Sequence, residues 1–561
     1  MKPSTDWNGV LRSEDQRMPW WGWGHHSYER VLSPTVEARL VELLGELGEA
    51  EPPVDLDSFV VPPVRLSDEA LSAISAAVGA DQVSTENKDR VLNGAGKSYP
   101  DLVRMRSGQP LVLPDAVATP LNAEGIAAVL KVCVDLNIAV VPFGGGTSVV
   151  GGVEALDDGQ TGVLSLDLRE LSGADSICEV NLTATIGAGT RAPKAEAELN
   201  ARGLTLGHFP QSYEYATIGG FAATRSSGQA STGYGRFDAN VLGLEMVAPA
   251  GTVKLNPSPG TAAGPDLRAA CVGSEGSLGV ITSVDLRLHR MPAAVKDIAW
   301  VVRGFGHGTE ILRELEQQGC APDVARLSDE AETEVSLSMA SSSFAGRAFA
   351  RYASRKGRGS ACLLITGFEG DSESVARRVA DASEILRRAG ASRLGTSAGR
   401  AWRKGRFQGP YLRDVLMERG LLVDTLETSA PWSGLADLHT EVAQSLTDSL
   451  GKHGGTPIVM CHVSHLYATG ASLYFTFIGR QPATETEARI AVWQEVKSNA
   501  CDAIIRAGGT ITHHHAIGLD HRRWMNAEIG DRGVAMLAAL KWELDPTGIM
   551  NPGKLIPPDA S

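Results

Sequence analysis

Apolar residues recur at Ile126, Val129, Leu130, Cys133 and Leu136, the spacing of one face of a helix. Asn122, just ahead of them, is a good N-cap, because its side-chain oxygen can accept from an N–H of the first turn. The pattern predicts a helix beginning at Asn122 and, directly after it, a strand over Ile138, Ala139, Val140 and Val141. Further strands are predicted at Val163 to Leu168, Thr183 to Ile186 and Val241 to Ala248, with a helical stretch leading to Gly203. This is an α+β domain of short strands and connecting helices. In the second half, Ser464 to Phe477 predicts a hairpin with Ala468, Thr469 and Gly470 at the turn. Tyr474, Thr476 and Ile478 then share one face of its second strand, with Phe475 and Phe477 on the other. A helix from about Glu485 to Ala507 follows. Thr484 and Glu487 suggest a capping box, Val492, Trp493, Val496, Ala500, Ala503 and Ile504 form the packing face, and Gly508-Gly509 ends the helix. It delivers the chain to Thr510-Ile511-Thr512 and then to three consecutive histidines, His513, His514 and His515.

A chain of 561 residues is too long for one ordinary core, so two domains or one large composite domain is expected. Hydrophobic residues at 43% and charged residues at 21% describe a globular chain rather than a disordered one. A formal charge of −14 argues against a nucleic-acid partner, which needs a basic footprint. The seven cysteines are scattered, with no C-x-x-C, which fits reduced thiols in a cytoplasmic setting and disfavours zinc bound through sulfur. The first ten residues lack a signal-peptide pattern, and no run of about eighteen uncharged apolar residues predicts a membrane span. The chain ends Asp559-Ala560-Ser561, without a peroxisomal S-K-L signal. Trp20, Trp21 and Trp23 are read as packing onto the main body in preference to a membrane-surface anchor.

The first strand runs into Pro142-Phe143-Gly144-Gly145-Gly146-Thr147-Ser148, where successive N–H groups can converge on an anion and hydroxyls add donors. It is not a Walker A loop, because Gly152 stands where lysine is required. Nor is it a Rossmann fingerprint, because Val149 follows where a glycine should stand. Three later segments repeat the same composition. Gln211-Ser212-Tyr213-Glu214-Tyr215-Ala216-Thr217 runs into Gly219-Gly220, and Thr224-Arg225-Ser226-Ser227 follows. The third contains Glu275-Gly276-Ser277-Leu278-Gly279-Val280-Ile281. Together they suit a nucleotide cofactor with two phosphates, held mostly by backbone groups. The histidine triplet admits a metal site, an acid/base cluster or an ordinary loop. If the segment is extended, His513 and His515 share one face and His514 takes the other. A metal is disfavoured because no carboxylate-rich shell is apparent nearby, and His462 and His465 are further ligands by type only.

P-x-G-G-G-T-S, the I-G-G segment and G-S-E-G-x-L-G-V-I-T, in this order, resemble FAD-binding oxidases of the vanillyl-alcohol oxidase fold. Within that group the sequence is similar to the alkyldihydroxyacetonephosphate synthases from about Trp20 onward. The similarity includes Ala321 to Leu327, Tyr411 to Asp414, Glu427 to Trp432, Tyr474 to Phe477 and the three histidines. The resemblance implies a PCMH-type two-subdomain FAD-binding domain over 101–291 and an α+β substrate-binding cap over 292–505. It also implies an N-terminal helical or irregular segment over 1–100, and a segment over 506–561 that carries the histidines back to the FAD domain. FAD would be held non-covalently, in keeping with a 142–148 loop that has no histidine or cysteine.

The implied reaction exchanges the acyl chain of acyl-dihydroxyacetone phosphate for a long-chain alcohol, giving an ether-lipid precursor through a flavin N5 adduct with no net redox change. By resemblance, Tyr474 is the proton donor and acceptor, with a pKa that neighbouring cations would have to depress. His513, His514 and His515 lie beside the flavin, Arg413 binds the carboxylate or phosphate, and Arg326 is a further functional arginine. Lipid substrates leave peripheral membrane contact open, and a homodimer likewise. Some features depart from the family. Gln211 stands where aspartate is usual, and the tail Asp545 to Lys554 looks more like the 2-hydroxy-acid dehydrogenases. These departures keep an FAD-dependent lactate- or glycolate-like dehydrogenase as the alternative.

Overall fold

The computed structural model describes residues 17–24, 31–32, 34–110, 112–340, 351, 353, 355–357 and 359–558. Asn122 caps the helix Ala123–Asp135 by accepting from Gly125 N, and the helix buries Ile126, Val129, Leu130 and Cys133, while Leu136 falls at the C-cap and is exposed. The next strand, Ala139–Phe143, lies parallel to Val163–Asp167, which lies parallel to Ala116–Ala118. With Val83–Ser84 at the edge they form a four-stranded sheet. A second, five-stranded antiparallel sheet runs Ala174–Cys178, Thr183–Gly187, Val280–Arg287, Val241–Ala248, Gly251–Leu255. The 142–148 loop leaves the end of Ala139–Phe143, and the 275–281 segment leads into Val280–Arg287.

The remaining sheet has seven strands, all antiparallel, in the order Ser392–Gly395, Ala294–Arg303, Ala361–Gly370, Val324–Ser328, Ile458–Tyr467, Gly470–Arg480, Leu421–Pro431. The predicted hairpin is the pair Ile458–Tyr467 and Gly470–Arg480. Its two-residue alternation separates two environments. Phe475 and Phe477 are fully buried in the large core with Leu438, Val442 and Leu446 of the helix Leu435–Gly451. Tyr474, Thr476 and Ile478 face the other way, into a cleft. The helix Thr486–Arg506 packs Trp493, Val496, Ala500, Ala503 and Ile504 into the same core, as its periodicity predicts. The capping box does not form. Glu485 is the N-cap and makes no side-chain cap bond, so packing of the apolar face, rather than Thr484, sets the start of this helix.

The last helix and the tail return to the first two sheets. Met550 bridges to Val140 in parallel register, Ala250 N donates to Leu544 O, and Lys541 Nζ donates to Ser277 O and Met550 O. At the other end of the chain, residues 17–24 lie against the body. Trp20 meets Phe59 edge-on, Arg106 sits over Trp21, and Trp23 is buried with its ring edge-on to Tyr215. No helix among the described residues is long and apolar enough to cross a membrane.

Candidate active site

A cleft of about 470 Å³ separates the glycine-rich loops from the free face of the seven-stranded sheet. The loop wall includes Pro142, Gly144, Gly145, Gly146, Thr147 and Ser148. It continues through Gln211, Ser212, Ala216, Thr217, Gly219 and Gly220, then Thr224, Ser226 and Ser227, and finally Glu275, Gly276, Gly279 and Ile281.

The other residues expected to hold the cofactor do structural work behind that wall. Phe143 is buried, with its ring against Gly146. Tyr213 stacks on Phe407, and Glu214 accepts from the Tyr411 hydroxyl at 2.8 Å. Tyr215 packs on Trp23. Arg225 turns back to donate to Val272 O and Ala269 O, while Ser277, Leu278 and Val280 are buried. Alternating small residues looked alike in sequence, but the chain's turns point only some of them inward.

The loop suits an anionic ligand. The backbone N–H groups of Gly145, Gly146, Thr147 and Ser148 donate to no protein acceptor among the described residues, although Gly146 is buried and the others only half-exposed. A Cβ on Gly145 would stand 2.1 Å from Tyr215 O, so only glycine fits there. Glu275 holds the loops to the C-terminal segment: its carboxylate accepts from Ile517 N at 2.8 Å and Gly518 N at 2.6 Å. Burial pushes the Glu275 carboxyl up to about 7, against the pull of those two N–H groups. Asn551 Nδ2 donates to Glu275 O and Gly152 O, completing the seam.

The sheet wall is a set of side chains brought into line by strand register. His462, Tyr474 and Glu427 are direct partners across three adjacent strands, and so share a face. Arg326 donates to His462 Nε2 at 3.0 Å and to Glu332 Oε1 at 2.8 Å, while His462 Nδ1 lies 3.0 Å from the same carboxylate oxygen. The network therefore assigns His462 as neutral, with its proton on Nδ1. Burial, then the charge of Arg326, holds its pKa down. Tyr474 is sandwiched between imidazoles: His462 at 5.1 Å and 22°, His514 at 5.9 Å and 24°, with His515 edge-on at 5.5 Å. Its pKa is not depressed. Burial pushes it up to about 12, and the Thr425 hydroxyl and Arg413 only partly offset that. The phenol is held as a proton donor.

Arg413 lines the same cleft. Its Nη1 donates to Lys97 O at 2.9 Å, whereas Nε and Nη2 are buried without a partner among the described residues. Two buried guanidinium donors left open mark a place for an anionic acceptor.

The histidine segment is bent, not extended, and its organiser is Glu427, which is buried below the cleft face. That carboxylate accepts from the Thr512 hydroxyl and from the backbone N–H groups of His513, His514 (3.1 Å) and His515 (2.7 Å). Burial opposes its charge, and attraction to the three imidazoles, His514 first, overcomes this and holds its pKa well below the usual range. The bend brings His514 and His515, not His513 and His515, to the cleft. His513 points away and meets the Tyr467 hydroxyl at 2.6 Å through Nε2. Burial pushes the pKa values of His513 and His515 well below 6.5, against the opposing pull of Glu427. The carboxylate partner that the sequence did not reveal is thus present. Glu427, His513 and His514 place ligand-type atoms within 4.8 Å of one another, but the carboxylate is already occupied by its four donors. Glu427 stood in the matching stretch Glu427 to Trp432, and its strand position opposite Tyr474 was the signal that could have found it.

Two family models match this chain: an FAD-binding domain over residues 114–255 and the C-terminal domain of FAD-linked oxidases over residues 291–555. An alkyldihydroxyacetonephosphate synthase of Trypanosoma brucei brucei is 32% identical over 506 residues, covering 89% of this chain and 82% of the relative. The chain belongs to the alkyldihydroxyacetonephosphate synthase family. It is therefore an FAD-dependent enzyme of the α+β, vanillyl-alcohol oxidase type. A solved structure of a synthase of this family superposes with a TM-score of 0.82 at 27% identity, covering 96% of this chain and 99% of the other. p-Cresol methylhydroxylase, at 15% identity and a TM-score of 0.65 over 88% of this chain and 98% of its own, shares the fold alone.

Proposed function

We propose that this enzyme of the synthase family exchanges the acyl chain of acyl-dihydroxyacetone phosphate for a long-chain alcohol, with FAD held non-covalently and no net redox change. The observation that carries the proposal is the pairing, in one cleft, of Tyr474 clamped between imidazoles with Arg413 holding two open donors. When bound, FAD supplies an electron-accepting ring; its phosphates suit the open N–H groups of Gly145 to Ser148. Arg413 binds the substrate's phosphate or the leaving carboxylate. Tyr474 passes the proton to and from the substrate carbon; because its resting form is the phenol, His514 or His515 beside it takes the phenolic proton before Tyr474 accepts one. Arg326 acts one step back: with Glu332 it fixes the tautomer and tilt of His462, on which Tyr474 stacks. The domain roles follow: the loops of 101–291 hold the cofactor, the 292–505 cap carries Tyr474 on its sheet and Arg413 on the helix Gly409–Glu418, and 506–561 brings in the histidines.

The test incubates the purified protein with palmitoyl-dihydroxyacetone phosphate and labelled hexadecanol, and in parallel with 2-hydroxy acids and a dye acceptor. Ether formation without dye reduction is expected. Rapid flavin bleaching by a hydroxy acid, with no ether product, would replace this reading with the dehydrogenase.

A further inference from the structure

Beside the start of the histidine loop lies a surface depression of about 510 Å³ whose lining includes Tyr467, Thr510 and Glu528. Tyr467 lines this depression, and a line of exchangeable protons runs from its hydroxyl to the cleft. The Tyr467 hydroxyl lies 2.6 Å from His513 Nε2, and His513 Nδ1 lies 3.0 Å from His514 Nδ1, which also faces Glu427 Oε2 at 3.4 Å. His514 lines the cleft, and its Nε2 edge makes no hydrogen bond among the described residues. We infer that Tyr467, His513 and His514 form a proton relay linking the enclosed acid/base cluster to solvent in the outer depression. This rests on the proposed reaction only in what the proton is for.

The relay is balanced at every atom. In one arrangement Tyr467 donates to His513 Nε2, His513 Nδ1–H donates to His514 Nδ1, and His514 carries its other proton on Nε2. Delivery of that Nε2 proton into the cleft is followed by a shift of each remaining proton one place inward, and Tyr467 takes one from water. In the other arrangement every hydrogen bond is reversed, His514 Nε2 is bare, and the chain is set to remove a proton. The same heavy-atom positions serve both.

The surroundings hold the relay in place. His513 Nε2 and Nδ1 are committed in opposite directions, and Arg236 Nη1 donates to His513 O at 2.9 Å, fixing the backbone. Tyr467 stacks on His465 at 4.3 Å and 13°, and His465 meets His513 edge-on at 5.5 Å. His465 is itself tied through Nδ1 to Ser227 at 3.2 Å, so its ring packs rather than conducts. Solvent in the outer depression thus reaches His514 through Tyr467 and His513 even when substrate and cofactor fill the cleft. Tyr467 is a positioning and relay residue; it does not touch the reacting atoms.

The test is Tyr467→Phe, which keeps the ring stacked on His465 and removes only the oxygen. Two quantities are read on the full-length protein with FAD bound. The first, independent of turnover, is the rate at which the His513 and His514 ring N–H protons exchange with solvent, measured by 15N-imidazole NMR with the cleft filled by a non-reacting alkyl-dihydroxyacetone phosphate. Exchange about tenfold slower or more in Y467F is expected; an unchanged rate overturns the relay. The second is the solvent deuterium isotope effect on ether formation, expected to rise in Y467F with FAD content and unfolding midpoint preserved. An isotope effect and turnover equal to those of the parent protein overturn the relay. If Y467F loses the flavin or its midpoint, His513→Gln, which can bond at one point but cannot pass a proton between two, is read in the same way. A protein that makes no ether at all would remove the proposed reaction, while the exchange rates would still decide the relay.

Discussion

On one wall of the cleft, Gly145, Gly146, Thr147 and Ser148 offer backbone N–H groups, and the side chains matter mainly by being small. On the opposite wall, His462, Tyr474 and Glu427 come from three different strands and act entirely through their side chains. The first wall is local: a few consecutive residues with the right φ and no Cβ suffice. The second depends on register, since slipping one strand by a single residue would turn Tyr474 into the core and Phe475 into the cleft. Backbone-built recognition tolerates almost no added volume, whereas side-chain chemistry tolerates volume and fails on loss of a functional group.

The largest effect should come from the glycine wall. Gly145→Ala places a methyl 2.1 Å from Tyr215 O, so the purified protein is expected to lose its flavin absorbance and all activity; full flavin occupancy would show that the loop does not cradle the cofactor. On the sheet wall, Tyr474→Phe removes one oxygen and no volume. Turnover should fall by about 10²-fold or more, with flavin retained; loss of flavin as well would erase the distinction between the walls.

A smaller effect belongs to the hub beneath the histidines. Glu427→Gln halves the acceptor oxygens available to four donors and removes the charge they converge on. A loss of stability on the order of 1–3 kcal/mol is expected from the unsatisfied N–H groups, read as a lower denaturant midpoint. An unchanged midpoint would mean that the loop's bend is held elsewhere.

A pH-dependent effect belongs to Asp520, two residues beyond the Gly518 that Glu275 holds. Burial pushes the Asp520 carboxyl up to about 8, and its Oδ2 has no hydrogen-bond partner among the described residues. A raised folded pKa means that its contribution is complete below about pH 4 and is lost as the pH rises through about 8. Asp520→Asn mimics the protonated acid, so its unfolding midpoint should gain on the parent protein steadily from pH 4 to pH 8. A constant difference between the two would contradict the buried, protonated state.

Legibility in the sequence followed the same division. The helix capped by Asn122, the strand into Pro142, the hairpin and its two faces were readable because each is set by neighbours within a few residues. The glycine segments pointed to a nucleotide cofactor for the same reason. Tyr474, Arg413 and Arg326 became candidates only through family resemblance. Nothing in local spacing separates Tyr474 from an ordinary strand tyrosine, or Arg413 from a surface cation. Glu427 was passed over as an organiser because its partners lie 85 to 88 positions away in sequence. The expectation that Tyr474 would have a lowered pKa failed because burial outweighs the nearby guanidinium, and burial is a property of the assembled cleft.

By itself the sequence determined the short-strand α+β layout, glycine-rich backbone loops of a kind that suits an anionic group, and the presence of three imidazoles at one point. Those follow from local sterics, periodicity and residue chemistry. Only the tertiary structure decided which imidazoles face the cleft, because one buried carboxylate from a distant strand gathers the three N–H groups and bends the loop. The same bend joined His513 to Tyr467 and turned it away from the chemistry toward the outer surface. Direction and connection of side chains are set by long-range register and burial, and neither is written in any short stretch of the chain.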